Sequence, residues 1–395
     1  MEWLIGRDGH VVDRPVQPGG HGSFPLHYVR TGPRGRLPVL VVPGGPGLAS
    51  FLPYRGFRRA AVRRGLDVLM VEHRGVGLSR RDHGGRDLPV EAVTVANVVD
   101  DLAAVLDHAG VAQAVVYGSS YGTYLAQGFG VRHPARVAAM VLDSPILGVE
   151  GDLALNRAFR RRAFWDGGTP ATRRVAEAVR NLIRAGVPAA EVGHVVQVAH
   201  EFAGPEALLR LLQARARGRA GRLWRGLARL GVEEVEGTGV PYLMEPDLVR
   251  DIAFRELGFG LPADGLPLDP QASLTGGGSW PAFKAEPFDL ASALPGFDWP
   301  VVVLSGERDL RTPRPVAQRI VDLAPHGVLV PLADTGHSAL DAHQRAAILV
   351  AGATVAGTTD RLPGLAPRIA SLPRRGASRW LGVGIAAAVR AATLR

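Results

Sequence analysis

The chain has 395 residues, of which 46% are hydrophobic, so it can bury a large core and is long for one ordinary domain. It has no cysteine, which excludes disulfide bridges, thiolate metal ligands and a cysteine nucleophile. The net charge of +9 predicts no nucleic acid partner, because residues 361–395 hold seven arginines and no acid and so carry most of it.

The first residues carry an acid, Glu2, and no apolar run long enough for a secretory signal. No stretch approaches the roughly 18 apolar residues that a membrane-spanning helix needs. We therefore expect a soluble, cytoplasmic protein. Two short strands are predicted around residues 3–5 and 26–31, separated by a turn region rich in proline and glycine.

Two apolar runs, at 38–42 and 67–71, predict strands that are buried on both faces, as in a parallel sheet. Each runs into a loop that contains glycine, at 43–47 and 72–79. A Gly-rich loop directly after a buried strand can bring backbone N–H groups close to a substrate.

A helix is predicted next, with Thr94 as its N-cap and valine and leucine residues at helical spacing between 95 and 106. Three acids are expected to face away from this apolar side: Asp100, Asp101 and Asp107. Strand, helix and strand thus alternate, as parallel α/β topology requires.

A further apolar run at 115–117 ends in Gly118-x-Ser120-x-Gly122, and a helix-compatible segment follows. This is the strand, sharp turn and helix in which an α/β-hydrolase exposes its nucleophilic serine. The glycines are needed because the serine adopts a strained conformation and flanking side chains would clash. The motif alone is weak evidence, and a structural Gly-rich turn is the alternative, but its context predicts Ser120 as a nucleophile.

Three segments occur in an order and at spacings typical of one family: Pro43-Gly44-Gly45-Pro46-Gly47, Glu72-His73-Arg74-Gly75-x-Gly77-x-Ser79 and Gly118-Ser119-Ser120-Tyr121-Gly122-Thr123-Tyr124. In combination they resemble the proline iminopeptidase and tripeptidyl aminopeptidase branch of the α/β-hydrolases. The resemblance covers roughly residues 25–145 and 295–350, and it implies a mostly parallel central sheet flanked by helices, with an inserted helical cap.

The chain departs from that family in two places. The family's first loop usually begins with histidine, where this chain has Pro43, and its second motif usually reads Asp-Gln-Arg-Gly, where this chain has Glu72-His73-Arg74-Gly75. Because Pro43 can alter the shape of the first loop, we expect the substrate range to differ more than the chemistry.

Strand-like runs disappear between residues 146 and 290, and helical segments replace them. In such hydrolases an inserted cap at this place covers the serine, excludes water and shapes the substrate pocket. A flexible return to the core is expected at Gly276-Gly277-Gly278-Ser279. The helices are predicted around 155–164, 170–185, 189–203, 205–230 and 246–257.

Aminopeptidases of the family recognise the free amine of the substrate with cap carboxylates, because a buried ammonium needs a paired charge. No motif here transfers that role to one residue, and Glu245, near Tyr242, is the first choice for a substrate-binding residue. The other candidates are Glu201, Glu206, Glu233, Glu234, Glu236, Asp247, Asp251 and Glu256.

The core resumes with a buried strand at 300–304, which leads into a loop with two acids. Asp309 is the predicted triad acid, because the family places its acid in a similar Gly-x-x-Asp-x-x-Thr-Pro stretch, and Glu307 is the alternative. The last strand is predicted at 328–332, and Gly336-His337 after it resembles the catalytic histidine loop of the family.

The order Ser120, Asp309, His337 matches the triad order of this fold. His326 and His343 are less suitable, since one precedes the strand and the other lies in the next helix. The oxyanion donors are expected to be the N–H of Tyr121 and one from the first loop, Gly45 in preference to Gly44.

Four segments are predicted: core at 1–145, cap at 146–290, core at 291–357 and a basic C-terminal extension at 358–395. Pro373 argues against a helix through the first part of the extension, and a basic helix is predicted over 378–394. That segment either docks on the parent domain or forms a partly disordered end, or it makes a weak membrane-surface contact or a partner contact.

The resemblance predicts a serine hydrolase, most simply an aminopeptidase that cleaves N-terminal residues from peptides through an acyl-enzyme. The alternatives are a small-molecule esterase or amidase on the same core and a non-catalytic interaction protein, because fold does not fix function. Partners are therefore a peptide or a small acyl or amide substrate. No metal or organic cofactor is expected, since zinc-ligand spacing and a dinucleotide fingerprint are both missing from the sequence.

Overall fold

In a computed structural model, the structure describes residues 6–231, 239–273, 280–374 and 377–394. Eight strands of these residues form one sheet in the order β1-β2-β4-β3-β5-β6-β7-β8. The pairs β1–β2 and β2–β4 are antiparallel, and the remaining pairs are parallel. The strands are β1 (Gly9–Pro15), β2 (Ser23–Thr31), β3 (Val39–Val42), β4 (Val68–Val71), β5 (Ala114–Ser119), β6 (Val137–Asp143), β7 (Val301–Gly306) and β8 (Gly327–Leu332).

The sheet is buried on both faces, as the continuous apolar runs predict. In β3, Val39 and Val41 pack in one hydrophobic cluster while Leu40 and Val42 pack in another on the opposite face, since successive side chains alternate. Helices cover both faces. Because the strands from β3 to β8 are parallel, their carboxyl ends meet along one edge of the sheet, where ligands bind in such folds.

The helices of the core flank this sheet. Their bounds are α1 (Arg55–Val62), α2 (Val95–His108), α3 (Tyr121–Arg132), α8 (Leu290–Ala293), α9 (Arg314–Leu323), α10 (Ala339–Ala342), α11 (Gln344–Val355) and α12 (Leu362–Ala370). The predicted N-cap of α2 is confirmed, because the Thr94 side chain accepts a hydrogen bond from the Asn97 N–H.

The prediction that Asp101 faces away from the core is wrong. Its carboxylate is buried and accepts bonds of 2.7 Å from both Nε and Nη2 of Arg74, and Arg14 Nε lies 2.8 Å away. A bidentate guanidinium offsets much of the desolvation of a buried carboxylate. Arg74 of the second motif therefore anchors its loop to α2.

Helices also dominate the described residues between β6 and β7. They are α4 (Val149–Phe164), α5 (Pro170–Arg184), α6 (Ala189–Ala216) and α7 (Gly221–Arg229), followed by a π-helical turn at Ile252–Glu256. A hydrophobic cluster of their own holds the first four together. The predicted break near residue 204 is a kink within α6, where Gly204 adopts φ 84° ahead of Pro205.

The extension contributes two helices, and the expectation that its first part is not helical is wrong. Helix α12 begins at Leu362, and Pro363 lies in its first turn, where a missing N–H costs nothing. Its Leu362, Ala366 and Ile369 pack in a core cluster against the sheet. The first part of the extension therefore completes the core.

Helix α13 (Ala377–Leu394) docks on the cap. Ile385 and Val389 are buried in the hydrophobic cluster of α4–α7. The structure thus shows the docked alternative, and the membrane-surface contact stays a prediction. In the described part of the chain, the helices are all too short or too polar to cross a bilayer.

Two sequence predictions lie outside the described residues: the strand at 3–5 and the Gly276–Ser279 return. Strand β1 was not predicted, because its sequence Gly-His-Val-Val-Asp-Arg-Pro has only a weak alternation of polar and apolar residues. It pairs with β2 at the edge of the sheet, where half-exposed side chains are tolerated.

Candidate active site

Ser120 lies on the sharp turn between β5 and α3, with φ 51° and ψ −120°. A Cβ added at Gly122 would overlap the carbonyl oxygen of Val42, and one added at Gly118 would lie 2.7 Å from the Cα of Thr123. Only glycine fits at these two flanks, because helix, strand and turn approach so closely there. This strained backbone conformation of Ser120 directs its hydroxyl away from the carboxyl edge of the sheet.

Asp309 follows β7, and its carboxylate is buried and fully engaged. It accepts hydrogen bonds from the Arg311 N–H at 2.9 Å, the Thr312 N–H at 3.0 Å and the Thr312 hydroxyl at 2.9 Å. Burial alone would raise the pKa of Asp309, but the His337 imidazole and these donors lower it below its usual range. The acid is therefore held ionised.

His337 joins the two other groups. Its Nδ1 lies 3.0 Å from Asp309 Oδ2, and its Nε2 lies 2.8 Å from Ser120 Oγ. Burial alone would lower the pKa of His337, but the Asp309 carboxylate raises it above its ordinary value. The structure thus brings together all three residues predicted as a triad.

The alternatives to these residues lie elsewhere. Glu307 is exposed, and its carboxylate accepts the N–H of Asp334 at 2.9 Å. His326 is exposed, and the buried His343 places its Nε2 3.2 Å from the carbonyl oxygen of Ala370. The described contacts join Ser120 to neither histidine.

Asp143, at the end of β6, holds the loop of His337 in place. Its carboxylate accepts the N–H groups of Ala339 at 2.8 Å and Leu340 at 2.7 Å, and the Tyr117 hydroxyl at 2.9 Å. Burial raises the pKa of Asp143 to about 6, against these hydrogen bonds. Sequence analysis missed this positioning residue, although a carboxylate that ends a buried strand could have indicated it.

The residues predicted as oxyanion donors lie on the first loop, which passes Ser120 at Gly44, and at the start of α3. A Cβ added at Gly44 would lie 3.3 Å from Ser120 Cβ and 3.9 Å from Ser120 Oγ, so this loop passes directly beside the serine. Gly45 has φ 128°, and a side chain there would lie 2.7 Å from Gly47 N. Tyr121 is the first residue of α3, so its N–H belongs to a helix N-terminus, where negative charge is stabilised.

The second departure from the family motif also lies at this site. His73 Nε2 lies 3.1 Å from the Tyr121 hydroxyl, and burial lowers the pKa of His73 to about 4. Glu72 is buried and accepts the Ser50 N–H at 2.7 Å, and burial raises the pKa of Glu72 to about 8. Both residues therefore support the loops around Ser120 as neutral or near-neutral groups.

A cavity of about 580 Å³ opens beside His337. Its walls come from the histidine loop, from residues 198–203 of α6 and from residues 381–390 of α13, and we call these two helical segments the outer wall. The extension therefore borders the candidate site. The amphipathic pattern of 378–394 predicts a docked helix but not the surface on which it docks.

Glu201, on α6, is one of the carboxylates that line this cavity. Its Oε1 accepts the Leu310 N–H at 3.1 Å, and its Oε2 accepts from Arg311 Nε at 3.2 Å. Burial raises the pKa of Glu201, against the opposing effect of Arg311. A Cβ added at Gly336 would lie 2.8 Å from the carbonyl oxygen of Glu201. Helix α6 therefore contacts both the loop that carries Asp309, through Leu310, and the loop that carries His337, through Gly336.

Glu245 lies apart from this cavity, beside the first loop. Its carboxylate accepts the N–H groups of Tyr242 at 2.6 Å and Gly77 at 3.2 Å, and Arg80 lies 3.4 Å away. The other described candidates have partners too: Glu206 with Arg210, Asp247 with Arg80, Asp251 with Arg255, and Glu256 with the Val95 N–H. Glu233, Glu234 and Glu236 lie outside the described residues.

In its described segments the chain contains no group of three or more histidine, aspartate and glutamate side chains that could hold a metal ion. The groups that meet at Ser120 are a hydroxyl, an imidazole and a carboxylate.

Known proteins support the fold and a resemblance over part of the chain. Residues 38–184 match the family model described as the α/β hydrolase fold. A proline iminopeptidase of Neisseria meningitidis is 29% identical over 117 residues, which are 30% of this chain and 35% of that protein. A probable proline iminopeptidase of Streptomyces coelicolor is 28% identical over 147 residues, covering 35% of this chain and 44% of that protein.

These matches span less than half the length of the curated relatives. Among solved structures, VinJ aligns over 89% of this chain and 99% of its own, with 17% identity and a TM-score of 0.50, which is a likeness of fold. Sheet order, serine turn and family match agree with one another. The chain has the α/β-hydrolase fold, and part of its core is similar to that of proline iminopeptidases.

Proposed function

We propose that the chain is a serine hydrolase in which Ser120 is the nucleophile, His337 the general base and acid, and Asp309 the group that orients the imidazole. One observation carries this proposal: hydrogen bonds run without a break from Ser120 Oγ, at 2.8 Å, through both ring nitrogens of His337 to Asp309. This is the geometry of an activated serine.

The chemistry follows from these contacts. Neutral His337 accepts the proton of Ser120 as Oγ attacks a carbonyl carbon, and the imidazolium then protonates the leaving group. The N–H groups of Tyr121 and Gly45, or Gly44 in place of Gly45, bind the oxyanion of the tetrahedral intermediate. Loss of one such donor is expected to lower kcat by about 10²–10³. Water then releases the acyl group by the same route.

We infer further that the substrate is a peptide with a free N-terminus. The similarity to proline iminopeptidases supports this, and so does a buried cap carboxylate at the cavity beside His337. Of the described cap carboxylates, Glu201 has the location that binding of a substrate ammonium requires, because a buried ammonium needs a paired charge. Glu245 does not line this cavity; it lies beside the first loop, where it holds Arg80 and two N–H groups.

A small-molecule esterase or amidase is the second candidate. The family match ends at residue 184, so it does not include α6 or α13, which form the outer wall. Glu201 also already holds Arg311, at 3.2 Å. These observations favour a substrate pocket that differs from that of the relatives.

Hydrolysis of a chromogenic panel separates the two candidates. The panel contains anilides of free proline, free alanine and a free tripeptide, their N-blocked versions, and a short acyl ester, each with Ser120→Ala as the control. The aminopeptidase predicts turnover of the free anilides that requires Ser120 and disappears on blocking. Turnover of the ester alone would overturn the peptidase proposal and support the esterase.

Glu201→Gln tests the proposed amine-binding residue. Its expected effect is a rise in KM for the free-amine anilides with little change for the ester, because Gln keeps the shape but removes the charge. An equal effect on both substrates would show that Glu201 acts only through the loops it contacts. Glu206→Gln, on the exposed face of α6, is the matched control, because it makes the same change of side chain on the same helix.

A further inference from the structure

Tyr121 has two separate functions at the candidate site, one for its backbone and one for its side chain. Its N–H is one of the two proposed oxyanion donors. Its side chain is buried in the hydrophobic cluster on one face of the sheet. The Tyr121 hydroxyl lies 3.1 Å from Nε2 of His73, and the two ring centroids are 5.9 Å apart. Among the residues that the structure describes, His73 is the one that bonds this hydroxyl.

The contacts of His73 determine which of its ring nitrogens carries the proton. Nδ1 lies 2.5 Å from the carbonyl oxygen of Arg74, which can only accept, so Nδ1 holds the hydrogen. Nε2 of the neutral ring is then an acceptor, and the Tyr121 hydroxyl donates to it. Burial keeps both groups neutral, since it lowers the pKa of His73 and raises the pKa of Tyr121.

Arg74 holds His73 in place in turn. Its buried guanidinium donates to both carboxylate oxygens of Asp101 on α2, and its Nη1 donates to the carbonyl oxygen of Ala92 at 2.9 Å. A bidentate guanidinium–carboxylate pair fixes direction as well as distance. A chain of hydrogen bonds therefore runs from α2 through Arg74 and His73 to the hydroxyl of Tyr121.

The order of the strands places this chain beside the other proposed oxyanion donor. His73 follows β4 and Tyr121 follows β5, and between these two strands lies β3, which leads into the first loop. A small cavity of about 20 Å³ is lined by His73, by Tyr121 and by Gly44 of that loop. The bond between Tyr121 and His73 therefore lies next to the loop that supplies the second donor.

We propose that His73 is a positioning residue for the oxyanion, because through the Tyr121 hydroxyl it fixes the first turn of α3 and with it the Tyr121 N–H. The buried ring is held at both ends, by the helix at its Cα and by His73 at its hydroxyl. An oxyanion donor must lie about 2.7–3.1 Å from the oxyanion, so a small shift of the N–H weakens it. The inference rests on the proposed function and adds to it a group that acts through another residue.

Steady-state hydrolysis of 4-nitrophenyl acetate tests this role, because an ester needs the oxyanion donors as much as a peptide does. Tyr121→Phe removes only the hydroxyl, and His73→Leu removes its acceptor. Each is expected to lower kcat by about 10- to 100-fold, between the cost of one hydrogen bond and that of a lost oxyanion donor. KM should stay within about threefold. The double variant should be no worse than either single one, since both remove the same contact.

Two further variants separate positioning from a merely structural role. His73→Gln should restore most of the kcat, because an amide supplies a donor for the Arg74 carbonyl and an acceptor for the hydroxyl. Tyr28→Phe is the matched control, since the Tyr28 hydroxyl lies 2.9 Å from Nδ1 of His108, where β2 meets the end of α2. It removes the same kind of bond and should keep a normal kcat. A structural role predicts that Tyr121→Phe, like Tyr28→Phe, loses stability to urea but no kcat.

Binding of trifluoroacetone measures the oxyanion without a leaving group. Ser120 Oγ adds to the carbonyl carbon, the serine proton passes to His337, and the carbonyl oxygen becomes an oxyanion. The affinity of Tyr121→Phe and His73→Leu should fall by the same factor as kcat, while that of Tyr28→Phe should not change. A normal kcat and a normal affinity in Tyr121→Phe and His73→Leu overturn the proposal.

Failure of the proposed function gives a different result. The wild-type protein would then hydrolyse neither this ester nor any member of the chromogenic panel in a Ser120-dependent reaction, and a fluorophosphonate would not label Ser120. The positioning role would be overturned with it, because no oxyanion would form.

Discussion

The two sides of the candidate site are built in different ways. Ser120, Asp309 and His337 each follow the carboxyl end of a strand, so the positions of β5, β7 and β8 in one sheet set their separations. The outer wall comes from helices α6 and α13, which lie far apart in the chain and meet through apolar side chains such as Ile385. A rigid sheet can fix reacting atoms closely, while packed helices fix the space around the substrate.

The difference indicates that chemistry and substrate selection can be changed separately. Substitutions on the sheet side should alter kcat, and substitutions in the outer wall should alter KM or the docking of a helix. The expected effects below run from the largest to the smallest, and each tests this division.

Asp309→Asn should lower kcat by about 10⁴-fold. The amide favours the wrong tautomer of His337 and cannot stabilise the positive charge of the imidazolium. Steady-state hydrolysis of a Ser120-dependent substrate measures it. Glu307→Gln, on the same loop, is the control and should retain activity, since its carboxylate only accepts the Asp334 N–H. A loss below tenfold in Asp309→Asn would place the acid elsewhere.

Ile385→Ala should weaken the docking of α13 by about 2–5 kcal/mol, the range for truncating a buried isoleucine. Hydrogen exchange of α13 should then accelerate, and KM should rise while kcat stays within a few fold. Leu365→Ala, on the exposed side of α12, is the control. A large fall in kcat with normal KM would show that the outer wall also supports the chemistry.

Gly122→Ala should cost about 1–3 kcal/mol of folding free energy or more, because the added methyl lies 2.5 Å from the carbonyl oxygen of Pro43 and overlaps that of Val42. Urea unfolding measures it. Gly226→Ala is the matched control: it lies inside α7, and its added Cβ meets no atom within 4 Å apart from the adjacent backbone of its own helix. That control should stabilise by about 0.5–1 kcal/mol.

The pH dependence of kcat/KM should show the smallest but most diagnostic effect. Only neutral His337 can accept the serine proton, so activity should rise with pH, about tenfold per unit below the apparent pKa. Because Asp309 raises the pKa of His337, the inflection should lie above 6.5. Residual activity of Asp309→Asn should show a lower inflection. An inflection that does not move would mean that another group titrates.

The sheet side of the site could be predicted from the sequence because its causes are local. The serine turn needs Gly118 and Gly122 whatever packs around it, and a buried strand followed by an acid or a histidine places that residue at the sheet edge. The meeting of Ser120, Asp309 and His337 was predicted for this reason, although their catalytic role stays a prediction.

The outer wall could not be predicted, because its causes are tertiary. The same limit applies inside the core. The periodicity of α2 puts Asp101 on its polar side, but periodicity does not show that Arg74 approaches from another loop. Likewise, Glu201 and Glu245 are equivalent as acids in a helical segment. Only the packing of α6 onto the loops of Asp309 and His337 distinguishes them.

Helix α12 shows a different kind of error. Pro373 argues against a helix that continues through it, but it lies beyond the end of α12 at Ala370. The spacing of Leu362, Ala366 and Ile369 is that of one helix face, and it was present in the sequence. A longer window would have found this helix.

The hydrogen bond from the Leu310 N–H to Glu201 links the loop that carries Asp309 to α6. The amide proton of Leu310 therefore reports on the contact between them. That proton can exchange with solvent only when α6 moves away from the loop or the loop itself opens. Its exchange rate therefore measures how often this contact opens in the protein without substrate, and no label is needed. A ligand that closes the cavity would slow this one proton before any product is formed.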